Sequence, residues 1–395
     1  MTEQRLRELL RDAVADEQAV DLAGAAWERS RRTLRRTRVA VVAGSAAAVA
    51  LIVGGVAVLE LPGTTPEPAP APVAPPSATS TDVPDADLDG TPVWWAPAGD
   101  EEARLSTVDR SRTELPARID VSAGAPDVSQ SPVSRALAVF AVFDDDGAER
   151  VVLLGDDGAY RSLDVSGLGQ VTKPNGYRLY PETDSMLSPD GRTVMFPQDG
   201  HLELYDLAAG QWRRIETGPH ETAFATWTPQ GQIFLPRSTA LTSGPLFELS
   251  GRLVGRADLH PPTEGVPLGQ AERYGPTRSS PQGDVVAQSW SMGAQAPVPP
   301  GAPPDPELLV VTPGDQSLML ALPESDAQPV RWKQCCPVTG WLDEATVVYE
   351  SRKATPQLIA WTIGTHEFQT LSTIVGFTAG QEFYVASWAD LAPPG

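Results

Sequence analysis

The sequence predicts an all-β fold, a β-propeller of six blades with seven as the alternative, preceded by one transmembrane helix and a short cytoplasmic helical segment. Three observations carry this expectation. From Gly90 onward, short apolar runs alternate with Gly, Pro, Asn and Asp turns. One turn-strand-strand unit recurs along that region. An uncharged stretch of 21 residues separates an arginine-rich N-terminus from an acidic remainder.

Residues 2–17 read as an amphipathic helix, with Leu6, Leu9, Leu10, Ala13 and Val14 on one face and charges on the other. Residues 1–38 hold nine arginines against seven acids, and six of those arginines lie between Arg29 and Arg38. So short a segment cannot bury a stable core alone, and its apolar stripe calls for a partner or the inner leaflet.

Val39–Leu59 reads VAVVAGSAAAVALIVGGVAVL. About 20 apolar residues cross a hydrocarbon core of about 30 Å. A cleaved signal peptide is the competing reading, but its apolar region usually runs about 7–15 residues behind a short basic start. Arg29–Arg38 precedes the span and acids follow it, so the positive-inside rule puts the N-terminus in the cytoplasm and the C-terminal bulk outside. Residues 60–89 are rich in Pro, Ala, Ser and Thr and read as an extended spacer, at about 3.1 Å per residue. Residues 90–395 are then the extracytoplasmic propeller.

That region carries runs such as ALAVFAVF, ERVVLLG, HLELYDL, ELLVVT and ATVVYES. Many short strands between turn signals mean a sandwich, barrel or propeller, and repeats decide among them. The clearest unit spans Asp184–Gly218. Ser188-Pro189-Asp190-Gly191 is a tight turn in which Pro189 presets φ and Gly191 takes the positive φ. Thr193–Phe196 follows as a buried strand, Leu202–Leu207 as an alternating strand, and Trp212–Thr217 as an outer one. So small a sheet cannot stand alone, which makes it a blade. Pro229 and Gly231 mark the next turn, and Pro281 and Gly283 another. Trp341–Val348 keeps only the shape. Asp190 to Gln230 is 40 residues, close to the ~40-residue propeller period. Later spacings are longer, the last because of the Pro-rich insertion Ala294–Pro306. A sixth blade is expected to be shared between Pro92–Val121 and Glu382–Leu391, closing the ring.

Ser188–Gly191 with Tyr205-Asp206-Leu207 resembles the TolB-like, WD40-like propeller repeat of membrane-anchored proteins from high-GC bacteria. The resemblance implies a fold and no particular activity.

No zinc-protease, nucleophile-elbow or phosphate-loop motif is present, and His201, His220, His260 and His366 lack metal-ligand spacing. No catalytic residue, metal or cofactor is therefore assigned. Asp85, Asp87, Asp89 and Gly90 copy the first half of a calcium loop, but Ala96 stands where the bidentate acid belongs. Cys335 and Cys336 are adjacent and have no other partner in the chain. A vicinal disulfide, two free thiols and a bridge to another chain all remain open. The ten tryptophans are expected mostly between blades, with some at channel mouths.

A formal net charge of −21 excludes nucleic acid as a partner of the bulk of the chain. The expected function is that of a binding or sensing module for an envelope partner or ligand at the propeller face. The architecture, with Leu6–Ala13, also resembles bacterial membrane proteins associated with sigma factors, including anti-sigma factors. That resemblance implies a cytoplasmic protein bound at residues 1–38, although the zinc-binding His-Cys-Cys motif of such proteins is absent. A cell-surface hydrolase is the third reading.

Overall fold

The computed structural model describes residues 82–392, apart from 123, 145–148, 174–175, 237–242, 259–270, 293–306, 315, 323–333, 354 and 378–381. The expected cytoplasmic helix, the span Val39–Leu59 and most of the expected spacer lie outside the described residues. No helix among the described residues is long and apolar enough to cross a membrane.

Three strands precede the blades: β1 (Ala86–Leu88), β2 (Thr91–Trp95) and β3 (Arg118–Asp120). Strand β1 lies within the stretch read as spacer, so the folded region begins before Gly90. The first blade takes β4 (Ala136–Asp144), β5 (Glu149–Gly155) and β6 (Tyr160–Leu163), and a hairpin of β7 (Val171–Thr172) and β8 (Arg178–Leu179) follows. The second has β9 (Thr193–Gln198), β10 (His201–Asp206) and β11 (Gln211–Glu216). The third has β12 (Thr226–Trp227), β13 (Ile233–Phe234), β14 (Ser243–Phe247) and β15 (Leu253–Asp258). The fourth has β16 (Glu272–Ser279), β17 (Val285–Ser291), β18 (Glu307–Pro313) and β19 (Leu318–Leu322). The fifth has β20 (Val338–Asp343), β21 (Thr346–Ser351), β22 (Gln357–Thr362) and β23 (Phe368–Val375). Strand β24 (Glu382–Trp388) ends the chain's regular structure.

The arrangement is all-β and propeller-like with five blades, which corrects the expectation of six or seven. Strand β24 does not share a sheet with the N-terminal segment. It pairs antiparallel with β4 along its whole length, Val385 facing Ala141, and so becomes the inner strand of the first blade. The N-terminal segment instead runs round the outside. Strand β2 adds in parallel to β19 of the fourth blade and β3 to β23 of the fifth. Asp127 bridges in parallel to Ser162 on β6 of the first. Residues read as half a blade are a belt.

The core is divided as the ring requires. Separate apolar clusters fill the contacts between the fifth and first blades around Phe140, Tyr384 and Trp388, the first and second around Phe143 and Phe196, and the second and third around Met195 and Phe247. Another, between the fourth and fifth, holds Trp94, Trp341, Tyr349 and Trp361. A further cluster covers the opposite face of the fourth blade around Leu308 and Met319. No blade buries its faces alone, so stability belongs to the stack.

The repeat turns have a common construction. Gly191, Gly231 and Gly283 have φ of 73°, 73° and 77°. Each donates its amide to the carbonyl three residues earlier, on Ser188, Thr228 or Ser280, at 2.8–2.9 Å. The hydroxyl of that residue accepts a later amide: Thr193 N at 2.9 Å, Gln232 N at 3.1 Å and Val285 N at 3.2 Å. Asp190 adds a carboxylate that accepts from the Ser188 hydroxyl at 2.6 Å. The fourth blade has Gln282 at that position, and Glu344 from the fifth blade supplies the carboxylate instead, accepting from the Ser280 hydroxyl at 2.7 Å and from Gln282 N at 2.6 Å. Pro189, Pro229 and Pro281 occupy the second position of these turns, where their fixed φ fits. These turns fasten inner strands and neighbouring blades.

Candidate binding site at the propeller axis

The inner strands run from one end of the ring, where outer strands hand over to the next blade, to the end bearing the repeat turns. Near the first end the axis carries charge. Glu350 lies in the run TVVYES of β21 and is fully buried, an acid inside an apolar strand. The Tyr384 hydroxyl, from β24 of the next blade, donates to Glu350 Oε1. The Arg352 guanidinium lies 3.3 Å from the same oxygen and 5.8 Å from the Tyr384 ring centroid. Burial and the Glu350 charge hold the Tyr384 hydroxyl well above its usual range. Burial works against the charge on Arg352, but Glu350, Tyr384 and Asp184 outweigh it, and its pKa is raised.

Asp184 comes from the second blade and is half-buried. Burial pushes its carboxyl up, opposed by Arg352 and Arg278. Arg278, on β16 of the fourth blade, is lowered by burial and supported by Asp390 and Asp184. Its Nη2 donates to the Trp388 carbonyl at 2.7 Å. Groups from four blades thus converge on one charged cluster. Pairs of titratable groups pushed in opposite directions mark candidate sites. Of this set, Asp184 and Arg352 keep part of their surface open.

Beside this mouth stands an aromatic shelf. Phe383 and Tyr384 are neighbours on β24 and point to opposite faces. Tyr384 enters the charged cluster, whereas Phe383 stacks on Phe143 at 4.8 Å, and Tyr180 lies 5.0 Å from Phe143 on the other side. Tyr177, Tyr180 and Phe383 are 65%, 43% and 50% exposed.

Cys335 and Cys336 are joined as a vicinal disulfide, fully buried where the chain enters the fifth blade. The Ser289 hydroxyl donates to the Cys336 carbonyl at 2.7 Å, and Arg352 N to the Cys335 carbonyl at 3.1 Å. The bridge packs with Trp94, Trp341 and Trp361. It is fully buried and holds the backbone of Arg352 through the Cys335 carbonyl.

The half calcium loop serves a different purpose. Asp85 Oδ2 accepts from Trp95 N at 2.8 Å and lies 2.9 Å from His366 Nε2, while Asp87 Oδ1 accepts from Gly90 N at 2.8 Å. Among the described residues no cluster of His, Cys, Asp and Glu could hold a metal. His201 is tied to Asp199 O at 3.1 Å, His220 lies against Phe247, and His260 is outside the described residues. Most described tryptophans lie in the core, and Trp212 is 41% exposed on β11. Motif reasoning missed Asp184, Arg278, Glu350, Arg352, Tyr384, Tyr180 and Phe383. Glu350 was detectable as an acid within an apolar run, whereas the others meet through the ring.

No family model matches the sequence, and no curated protein matches it. Among solved structures, a chain of the mitotic checkpoint complex is 12% identical, covers 83% of this chain and 91% of its own, and has a TM-score of 0.30. Oligogalacturonate lyase from Vibrio parahaemolyticus is 10% identical, covering 60% and 74%, at 0.28. Kuenenia stuttgartiensis hydrazine synthase is 13% identical, covering 53% and 70%, also at 0.28. At these scores the likenesses carry neither an activity nor a ligand to this chain.

Proposed function

We propose that the chain is a membrane-tethered propeller of the TolB-like, WD40-like repeat type that binds an envelope ligand at the axis mouth, without catalysing a reaction. The tether is Val39–Leu59, with the arginine-rich N-terminus in the cytoplasm. The shared hydroxyl-and-glycine turn of three blades supports the repeat assignment.

One observation carries the binding reading. Tyr180 and Phe383 both flank Phe143 and are left open, Phe383 next to Tyr384 on β24, while Asp184 and Arg352 keep part of their charged surface open. Clustered exposed apolar surface next to fixed polar groups is the usual form of a recognition site. A ligand with a flat apolar face and a charged group fits it. The test is a thermal-shift titration of the full chain in detergent with soluble peptidoglycan fragments and with a mixed peptide library. A stabilising ligand whose effect is lost in Tyr180→Ala and Phe383→Ala supports the reading. Ligands that stabilise both variants as well as the unaltered chain contradict it.

A further inference from the structure

The outer edges of the blades are not treated alike. On the fourth blade Ala96 N donates to the Ala321 carbonyl at 2.9 Å, extending the parallel pairing of β2 with β19. On the fifth, Thr370 N donates to Ser106 O at 2.8 Å and Val121 N to Val375 O at 2.9 Å. On the first, Val128 N donates to Ser162 O at 2.8 Å and Ser162 N to Pro126 O at 2.9 Å. Three consecutive blades thus have their outer strands capped in parallel by the chain's own N-terminal belt.

The second blade does not. Its sheet runs β11-β10-β9, and among the described residues nothing pairs on the outer side of β11. Five of the six residues of β11 are exposed, including Trp212, Arg213 and Arg214. The capped outer strand β6 has none exposed, and even its Arg161 is buried. An open strand edge is a template for another chain, and proteins normally blunt it.

The residues of β11 select the occupant. Pairing with a second copy of itself about a two-fold axis would bring Arg213 and Arg214 of one copy opposite those of the other, and like charges directly opposite destabilise a sheet. The two guanidiniums point to opposite faces of the strand, Arg214 towards Glu203 at 2.7 Å and Arg213 towards the Leu249 carbonyl. An incoming strand therefore meets a guanidinium on either face, Arg214 already paired with Glu203 and Arg213 held by a neutral carbonyl, and an aromatic ring at Trp212.

We propose that β11 is a strand-addition site for a partner protein, which contributes an extended segment carrying adjacent acidic residues flanked by aliphatic ones and lying parallel to β11. Main-chain bonds along the edge supply affinity, and the arginines and Trp212 supply selection. The proposal is independent of the axis site, which lies at the inner strands.

The test uses the full chain in detergent and two labelled peptides, TVEEVT and TVKKVT, followed by fluorescence anisotropy and by hydrogen exchange of the β11 amides. The acidic peptide is expected to bind, to protect β11, and to bind about tenfold more weakly or worse to Arg213→Glu/Arg214→Glu. The basic peptide is expected to gain on that variant. Equal binding of both peptides to the unaltered chain overturns the proposal, as does indifference to the double substitution. Protection, in the free chain at all concentrations, of the β11 amides that face away from β10 means that the chain's own residues cover the edge. Protection that grows with protein concentration means a second copy covers it. Either result also overturns it. Should the double variant fail to fold, exchange in the unaltered chain with the two peptides decides the matter.

Discussion

Arg278 of the fourth blade donates to the carbonyl of Trp388, on the inner strand of the first, at 2.7 Å. The two blades are not neighbours, so this bond spans the axis and ties the closing strand to the far side of the ring. Removing the guanidinium leaves that buried carbonyl without its donor and takes one of two nearby cations from Asp184 and from Asp390, which keep Arg352 and Arg135 respectively.

Arg278→Ala is accordingly expected to cost about 1–3 kcal/mol, the range for leaving a buried polar group without its hydrogen-bond partner, read by chemical denaturation. Asp184 and Asp390 set the pH dependence of the same cluster. Burial raises both, so the folded state holds their protons more tightly than the unfolded chain. Stability attributable to them falls as pH rises from the ordinary carboxylate range through the raised folded values, and is steady above those values. Asp184→Asn should flatten that slope. An unchanged slope contradicts the assignment.

The belt is anchored by a buried ion pair. Lys353 Nζ, from the end of the fifth blade's β21, donates to Glu102 in the belt and to the Gly99 carbonyl at 2.6 Å, and Ser351 Oγ donates to Glu102 Oε2 at 2.9 Å. Glu102→Ala strands the ammonium and should cost about 3–5 kcal/mol, whereas Glu102→Leu/Lys353→Met should cost much less than the sum of the single changes. Denaturant melts of the unaltered chain, Glu102→Leu, Lys353→Met and the double variant check the coupling, and a melt of Glu102→Ala checks the first loss.

A repeat turn can be tested directly. A Cβ on Gly191 would stand 2.3 Å from the Ala136 carbonyl, at a φ of 73°. Gly191→Ala should therefore destabilise by more than the ~1 kcal/mol of a strained φ alone. Gly231→Ala meets no such neighbour and should cost only the strain. Similar losses in thermal melts would refute this difference.

His366 clasps the start of the folded region through Asp85 at 2.9 Å and Asp82. Its hydrogen bond to Asp85, against slight burial and with help from Asp82, raises its pKa. The clasp is therefore complete below the ordinary histidine value and is lost as pH rises through the raised one. Hydrogen exchange of β1 amides should accelerate over that window, and Asp85→Asn should lower the pH at which it does so.

Much of the fold was legible because it is local. Ser188–Gly191 and its two copies specify turns through φ and a hydroxyl, and the strand runs between them alternate or bury as their residues require. Four blades fell close to their expected positions. Ring closure was not legible, since a strand such as Glu382–Trp388 fits either of two partners equally well by pattern, and β4 wins by a register that sequence does not display. The belt escaped notice for a related reason. Its strands are three to five residues long, and β2 and β3 pair in parallel with distant edges. The charged cluster is assembled from four blades, so no spacing along the chain announces it.

The closing strand is what places Tyr384 and Phe383 at the mouth, and disulfide trapping tests it most directly. Under oxidation, Ala141→Cys/Val385→Cys should give a cross-linked chain that migrates faster on a non-reducing gel, while Val93→Cys/Val385→Cys should not. Cross-linking of the second pair and not the first would mean that β24 shares a blade with the N-terminal segment, and the five-bladed account would be wrong.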